Sequence, residues 1–307
     1  MSIDRFRGQG LPPDNDERNR FPYIADQKLV QAVNMAIALK RPLLVKGPPG
    51  CGKTRLANAV AHELGLKLYE WYIKSTSRAR DGLYTIDMVR RLQDAQMRNT
   101  KAQHLIPYIH FGQLGEAIRS NEECVVLIDE IDKADIDFPN DLLRELDEKK
   151  ITIEELDENE LKEPHAQGHK KTYQTQHPPI IIISSNDEKE LPDAFLRRCL
   201  FYYIEFPNKE SLMQIVRVNT PELAVDESLV GLAIDRLNEV RKIEDFRKAP
   251  ATSELIDWVR ILHYWNVDTT ALDKNKALSE LPYWEVLFKN QQDMQQLLRH
   301  ASTKDVV

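Results

Sequence analysis

Eight residues, Gly47-Pro48-Pro49-Gly50-Cys51-Gly52-Lys53-Thr54, constrain this chain more than any other stretch. They stand between a short apolar run, Leu43–Lys46, and a segment in which Leu56, Ala59, Val60 and Leu64 recur at helical spacing. The run reads as a buried strand, and Gly65 stops the helix. Strand, loop and helix together satisfy GxxxxGK(S/T) in its proper context. Glycines let successive backbone N–H groups turn inward onto phosphate oxygens, and the helix start adds a favourable dipole. Lys53 is expected at the β- and γ-phosphates and Thr54 at Mg²⁺. Residues Gly47, Pro48, Pro49, Gly50, Cys51, Gly52, Lys53 and Thr54, with the adjoining Arg55, are thus the candidate ATP contacts.

Beyond that loop, apolar runs and helical stripes alternate. Residues 68–73, 124–128, 180–183 and 200–206 read as strands, and 151–153 as a short β-like segment. Residues 26–40, 86–97, 114–118 and 138–146 read as helices, with Pro42 ending the first. After Pro207 only helical stripes follow, at 211–218, 228–240, 253–265 and 284–298. The expected organisation is a tail at 1–20, an α/β domain at 21–206 and a helical domain at 207–307. The α/β domain should be a parallel sheet flanked by helices.

The run Val125-Val126-Leu127-Ile128 ends in Asp129-Glu130. Acids at the carboxyl end of a parallel strand face the ligand crevice. Asp129 is expected to position Mg²⁺ and Glu130 to act as the base that orients water. Binding a nucleotide needs no second carboxylate, so the pair points to hydrolysis. Asp132 and Lys133 read as a solvated helix start. Asn186, after Ile180-Ile181-Ile182-Ile183, is placed to hydrogen-bond the γ-phosphate or the attacking water. Arg197 and Arg198, at the end of a short helix, are candidates for a phosphate-stabilising finger.

With those residues in place, the sequence resembles the AAA+ ATPases, and within them the MoxR-type branch, from Tyr23 to the C-terminus. The likeness rests on Gly47 to Thr54 as Walker A, Val125 to Glu130 as Walker B, Asn186 as sensor 1 and 191–199 as the finger region, with Arg198 favoured over Arg197. It implies a homo-oligomeric ring, usually a hexamer, with ATP at subunit interfaces, a helical lid, and an insert between the second strand and Walker B, which the stretch at about 75–113 is long enough to supply. It also implies a protein client and a partner containing a von Willebrand factor A domain. The family's sensor 2 arginine has no counterpart: Glu254 stands at that place, and Arg247 or Lys248 is the substitute. The competing readings are a nucleic-acid motor of a restriction or defence system and a nucleotide-gated scaffold with little turnover.

Charge bears on these alternatives. The net charge of −7 argues against a general nucleic-acid binder. It hides nine acids against three bases at 145–163 and seven bases against three acids at 74–101. Both read first as solvated faces; the basic run is otherwise a contact for a partner, a client or the acidic run of an adjacent subunit. His165, His169 and His177 read as a polar loop and not as metal ligands. Trp258, Tyr264, Trp265, Tyr283, Trp284 and Phe288 read as packing within the helical domain. Three widely spaced cysteines, no apolar leader at 1–10 and no apolar run near the ~20 residues that span a bilayer point to the cytoplasm.

Overall fold

The computed structural model describes residues 5–8, 23–163, 166–221, 226–244 and 246–304. His165 and most of the 1–20 tail lie outside them. The strands are β1 (Leu43–Lys46), β2 (Lys67–Tyr72), β3 (Tyr84–Ile86), β4 (Ile109–Phe111), β5 (Cys124–Asp129), β6 (Lys150–Thr152), β7 (Thr172–Gln174), β8 (Ile180–Ser185) and β9 (Leu200–Tyr203). The helices through the same region are α1 (Gln27–Leu39), α2 (Lys53–Leu64), α3 (Met88–Gln96), α4 (Gln113–Ser120), α5 (Phe138–Asp141), α6 (Leu143–Glu148) and α7 (Asp193–Leu196). They are followed by α8 (Lys209–Asn219), α9 (Glu227–Arg241), α10 (Thr252–Tyr264) and α11 (Gln291–Lys304).

The chain divides into two compact units. One is built on Ala25–Gly47 and Lys53–Tyr203, with Met1–Gly8; the other on Ile204–Val307, with Gln9–Ile24 and Pro48–Gly52.

In the first unit a five-stranded parallel sheet runs in the order β2-β5-β8-β1-β9. Strands covered on both faces need apolar side chains on both faces, which is why 124–128 and 180–183 are unbroken apolar runs. Every residue of β5 and β8 is buried. In register, Leu127 pairs Ile182, and Ile182 pairs Leu43. That alignment sets the carboxyl ends of β1, β5 and β8 side by side. Helix α1 starts on the Asp26 carboxylate, which accepts from Leu29 N at 2.8 Å and from the Tyr202 hydroxyl on β9 at 2.9 and 3.0 Å. It ends at Lys40 in the left-handed region, two residues before Pro42. The proline follows the stop and does not cause it. Within the expected tail, Phe6 is buried and residues 5 and 6 are bracketed by Asn34. Its side chain accepts from Arg5 N and Phe6 N at 2.9 Å and donates to Phe6 O at 2.7 Å.

The stretch expected as an insert holds the antiparallel pair β3–β4 and, between its strands, the helix α3. Met88, Val89 and Leu92 form the apolar stripe of α3, and they are 56, 69 and 61% exposed. The polar side faces the protein. Asp94 accepts from the Tyr108 hydroxyl at 2.6 Å, and Arg91 Nε donates to Ala102 O at 3.1 Å. The basic and acidic runs meet within this one chain. Arg80 pairs with Glu155, Tyr84 donates to the same carboxylate at 2.9 Å, and Glu160 accepts from Leu105 N and Ile106 N at 2.6 and 3.0 Å. The expected helix over 138–146 is two short helices broken at Leu142. The 151–153 segment overlaps β6, which starts and ends one residue earlier and pairs with β7, which sequence patterning missed.

Among the described residues of the second unit the regular elements are helices and 3₁₀ turns, with no strand. Leu212, Val216, Ala233, Ile234, Leu237, Leu255, Trp258 and Leu262 form its core. Arg236 is buried there and donates to Lys274 O at 3.1 Å and Lys276 O at 2.6 Å. The expected helix at 284–298 is instead a 3₁₀ turn, Trp284–Leu287, followed by α11. The aromatic set also divides. Trp258 and Phe288 are core residues, whereas Tyr264, Trp265 and Tyr283 are exposed and lie against one another, with ring centroids 5.2 and 6.1 Å apart. Tyr264 and Trp265 fall at the end of α10, past its buried stripe.

Candidate functional site

The loop between β1 and α2 supplies its own conformational evidence. Gly47, Gly50 and Gly52 have φ of 156°, 78° and 92°. The last two lie in the region that side chains disfavour, so the pattern needs glycine at 50 and 52. Lys53 opens α2 and is buried, and its ammonium donates to Gly47 O at 2.7 Å. The lysine is therefore folded onto its own loop. The next residue, Thr54, carries its hydroxyl to within 3.1 Å of both Asp129 carboxylate oxygens. A hydroxyl and a buried carboxylate brought together across 75 residues of sequence form a hard-oxygen pair of the kind Mg²⁺ takes.

Asp129 ends β5 and is buried. Ser184, on the adjacent β8, donates its hydroxyl to Asp129 Oδ1 and accepts from Glu130 N at 2.8 Å. Glu130 leaves the strand with φ 58° and ψ 51°, a left-handed conformation rare for a side chain of this size. Its hydrogen bond to Ser184 holds that strained backbone, which turns the carboxylate out of the sheet. Both carboxylate oxygens are occupied. Asn186 Nδ2 donates to Oε1 at 2.8 Å, and Lys133 pairs with Oε2. Sequence reasoning placed Asn186 against phosphate or water; here its amide meets Glu130.

Asp132 corrects its reading as a solvated helix start. It is 2% exposed, and its Oδ2 accepts from Asn186 N at 3.0 Å and from Glu188 N at 2.9 Å. A 3₁₀ turn over Ile131–Lys133 turns it inward beneath the end of β8. Neither Asp132 nor Ser184 stood out as a site residue. Their partners lie 54 to 56 residues away, and only the pairing of β5 with β8 brings them together.

The two finger candidates lie at the end of α7. Arg198 Nε contacts Asp147 Oδ2 at 2.6 Å and Nη1 donates to Ala194 O at 3.0 Å, while Arg197 is exposed. Arg41 gathers the carbonyls of Arg197, Arg198 and Cys199, which fixes the backbone beneath both arginines.

Considered within the second unit, Glu254 is buried and serves its own helix. It accepts from Ala251 N at 3.0 Å, three residues before it at the start of α10, and from the Ser253 hydroxyl at 3.0 Å. The Arg247 guanidinium donates to Gln292 Oε1 at 3.0 Å, and the backbone N–H groups of Arg247 and Lys248 donate to the buried Asp293.

Among the described residues no group of three or more His, Cys, Asp or Glu side chains is gathered to hold a metal. No helix among them is long and apolar enough to cross a membrane. Burial pushes the Cys124 thiol up to about 11 and the Cys199 thiol up to about 12.

A family model for the AAA domain (Cdc48 subfamily) matches residues 40–221, more than half of the chain. Among characterised proteins, the chain is 34% identical over 142 residues to chaperone protein ClpB 1 of a Nostoc species, covering 42% of this chain and 15% of that one. It is 28% identical over 286 residues to chaperone protein ClpB of Prochlorococcus marinus, covering 80% of this chain and 28% of that one. The match thus spans less than a third of either relative's length. Among solved structures, a RuvB mutant from Thermotoga maritima superposes with a TM-score of 0.46 at 14% identity, covering 86% of this chain and 77% of that one. The matched segment takes in the phosphate loop, the Asp129-Glu130 pair and the whole parallel sheet, and this chain belongs to the AAA family of ATPase domains.

Proposed function

We propose that this protein is a Mg²⁺-dependent ATPase of MoxR-like type that works as a ring, a hexamer, and remodels or matures a protein client in the cytoplasm. The observation that carries the reading is the meeting of Thr54 with Asp129 and of Asn186 with Glu130 at the carboxyl ends of adjacent strands. One pair suits a metal-bound phosphate and the other an activated water.

Thr54 and Asp129 are the residues to hold Mg²⁺, whose charge would offset that of the β- and γ-phosphate oxygens. Lys53 exchanges the Gly47 carbonyl for phosphate oxygens. Glu130 gives up one of its two partners, orients a water on the γ-phosphorus and takes its proton. A new P–O bond forms to that water as the bond to the bridging oxygen breaks, and ADP leaves with the electron pair. Asn186 keeps the carboxylate aimed. Arg198 of an adjacent subunit, released from its own Asp147, meets the charge that develops on the phosphoryl oxygens; Arg197 is the alternative. ClpB relatives named as chaperones support a protein client. A von Willebrand factor A domain partner follows from the branch resemblance alone.

The test is a pull-down with Glu130→Gln in ATP. The substitution should trap nucleotide, stabilise rings seen by light scattering and retain a protein client. Recovery of nucleic acid with steeply salt-dependent affinity would replace the client reading with a motor. Wild-type turnover indistinguishable from Lys53→Ala would replace both with a scaffold.

A further inference from the structure

The reading above leaves Asp132 without a part, yet it is among the most buried carboxylates of the described chain. An aspartate at 2% exposure needs a reason, because an ionised carboxylate removed from water is costly unless hydrogen-bonded. Its Oδ2 has one: two backbone N–H donors, of Asn186 and Glu188. Its Oδ1 is buried with no hydrogen-bond partner among the described residues. The group is therefore kept for what its other oxygen does.

That oxygen gathers a turn whose backbone is itself unusual. Asp187, between the two donors, has φ 65°, outside the region a non-glycine residue prefers. A second clasp acts in the opposite sense, from the β8 side back to the β5 side. The Lys189 ammonium donates to Lys133 O at 3.3 Å and Ala134 O at 2.8 Å. A carboxylate from the first loop caps amides of the second, and an ammonium from the second caps carbonyls of the first. The side chain that emerges from this doubly tied turn is Asn186, whose amide reaches Glu130.

We propose that Asp132 is a positioning residue for ATP hydrolysis: by holding the backbone of residues 186–188 it sets the Asn186 amide against Glu130. That role requires no contact of Asp132 with the nucleotide. The inference rests on the proposed roles of Glu130 and Asn186. It predicts that Asp132 and Asn186 act as one unit, so their losses do not multiply.

The test is a double-mutant cycle on the full chain with Asp132→Ala, Asn186→Ala and the pair, read as kcat and KM for ATP with Mg²⁺. Asp132→Ala should lower kcat at least tenfold and leave KM within about threefold, because no phosphate contact is removed. The pair should be no more than about twofold worse than the worse single variant. Asp132→Asn keeps one oxygen for both N–H groups and should recover most of the lost kcat. Losses that multiply in the pair, or an Asp132→Ala kcat within twofold of wild type, would overturn the proposal. So would equal losses for Asp132→Asn and Asp132→Ala. If Asp132→Ala does not fold, Asp132→Ser takes its place in the cycle under the same criteria. Should Glu130→Gln and Asn186→Ala both hydrolyse ATP normally, the functional reading itself has failed. If they are impaired and Asp132→Ala is not, only the positioning role falls.

Discussion

The end of β5 and the helix α3 break the usual rule of burial in opposite directions. At the strand end, Asp129, Asp132 and Ser184 are buried, and each is hydrogen-bonded between β5 and β8 or the turns that follow them. On α3, Met88, Val89 and Leu92 are exposed, and the helix is held by its polar side through Asp94 and Arg91. The first region shows how polar groups are kept in a core when each bond serves a geometry. The second shows that periodicity reports which side of a helix is apolar, not what that side meets.

Substitutions on the two regions should therefore have opposite signatures. The largest expected effect is at the strand end. Asp129→Ala removes the carboxylate opposite Thr54 and should lower Mg²⁺-dependent turnover by about 100-fold or more in a steady-state phosphate-release assay. Beneath it, Leu127→Ala opens a cavity at a fully buried position of β5 and should cost about 2–5 kcal/mol in urea denaturation. On α3, Asp94→Ala frees the Tyr108 hydroxyl and should cost about 1 kcal/mol by the same method. Met88→Gln with Leu92→Gln should stay within about 0.5 kcal/mol of wild type, the inverse of what an apolar stripe ordinarily predicts. A loss of several kcal/mol there would show that the stripe is packed after all.

The thiols sharpen the same contrast between covered and open positions. Burial raises the pKa of Cys124 and Cys199, so neither is thiolate near pH 8. Cys51, partly exposed in the phosphate loop, should be the one thiol that reacts quickly with an aromatic disulfide reagent. The other two should follow only on unfolding. Fast reaction at Cys124 would place the start of β5 in a far more open state than its complete burial implies.

What the sequence made legible was local. The short run before the glycines is β1 residue for residue, and 124–128 and 180–183 are the cores of β5 and β8. The loop, Asp129, Glu130 and Asn186 could be placed because strand ends and glycine spacing carry that information along the chain. The three-residue strands β3, β4 and β7 are too short to show a period of two. The contacts of Ser184 and Asp132 are with partners more than 50 residues distant, so no window of sequence contains them. The charge segregation was visible as composition, but its meaning required the pairings of Arg80 with Glu155 and of Glu160 with the amides of Leu105 and Ile106.

The central claim is that Glu130, aimed by Asn186, activates the water that attacks ATP. Single-turnover hydrolysis of pre-bound, γ-labelled ATP in Glu130→Gln tests it most directly, because binding and product release are removed from the rate. The account predicts a chemical step slowed by about 100-fold or more with the amount of bound ATP unchanged. A chemical step at the wild-type rate would contradict it.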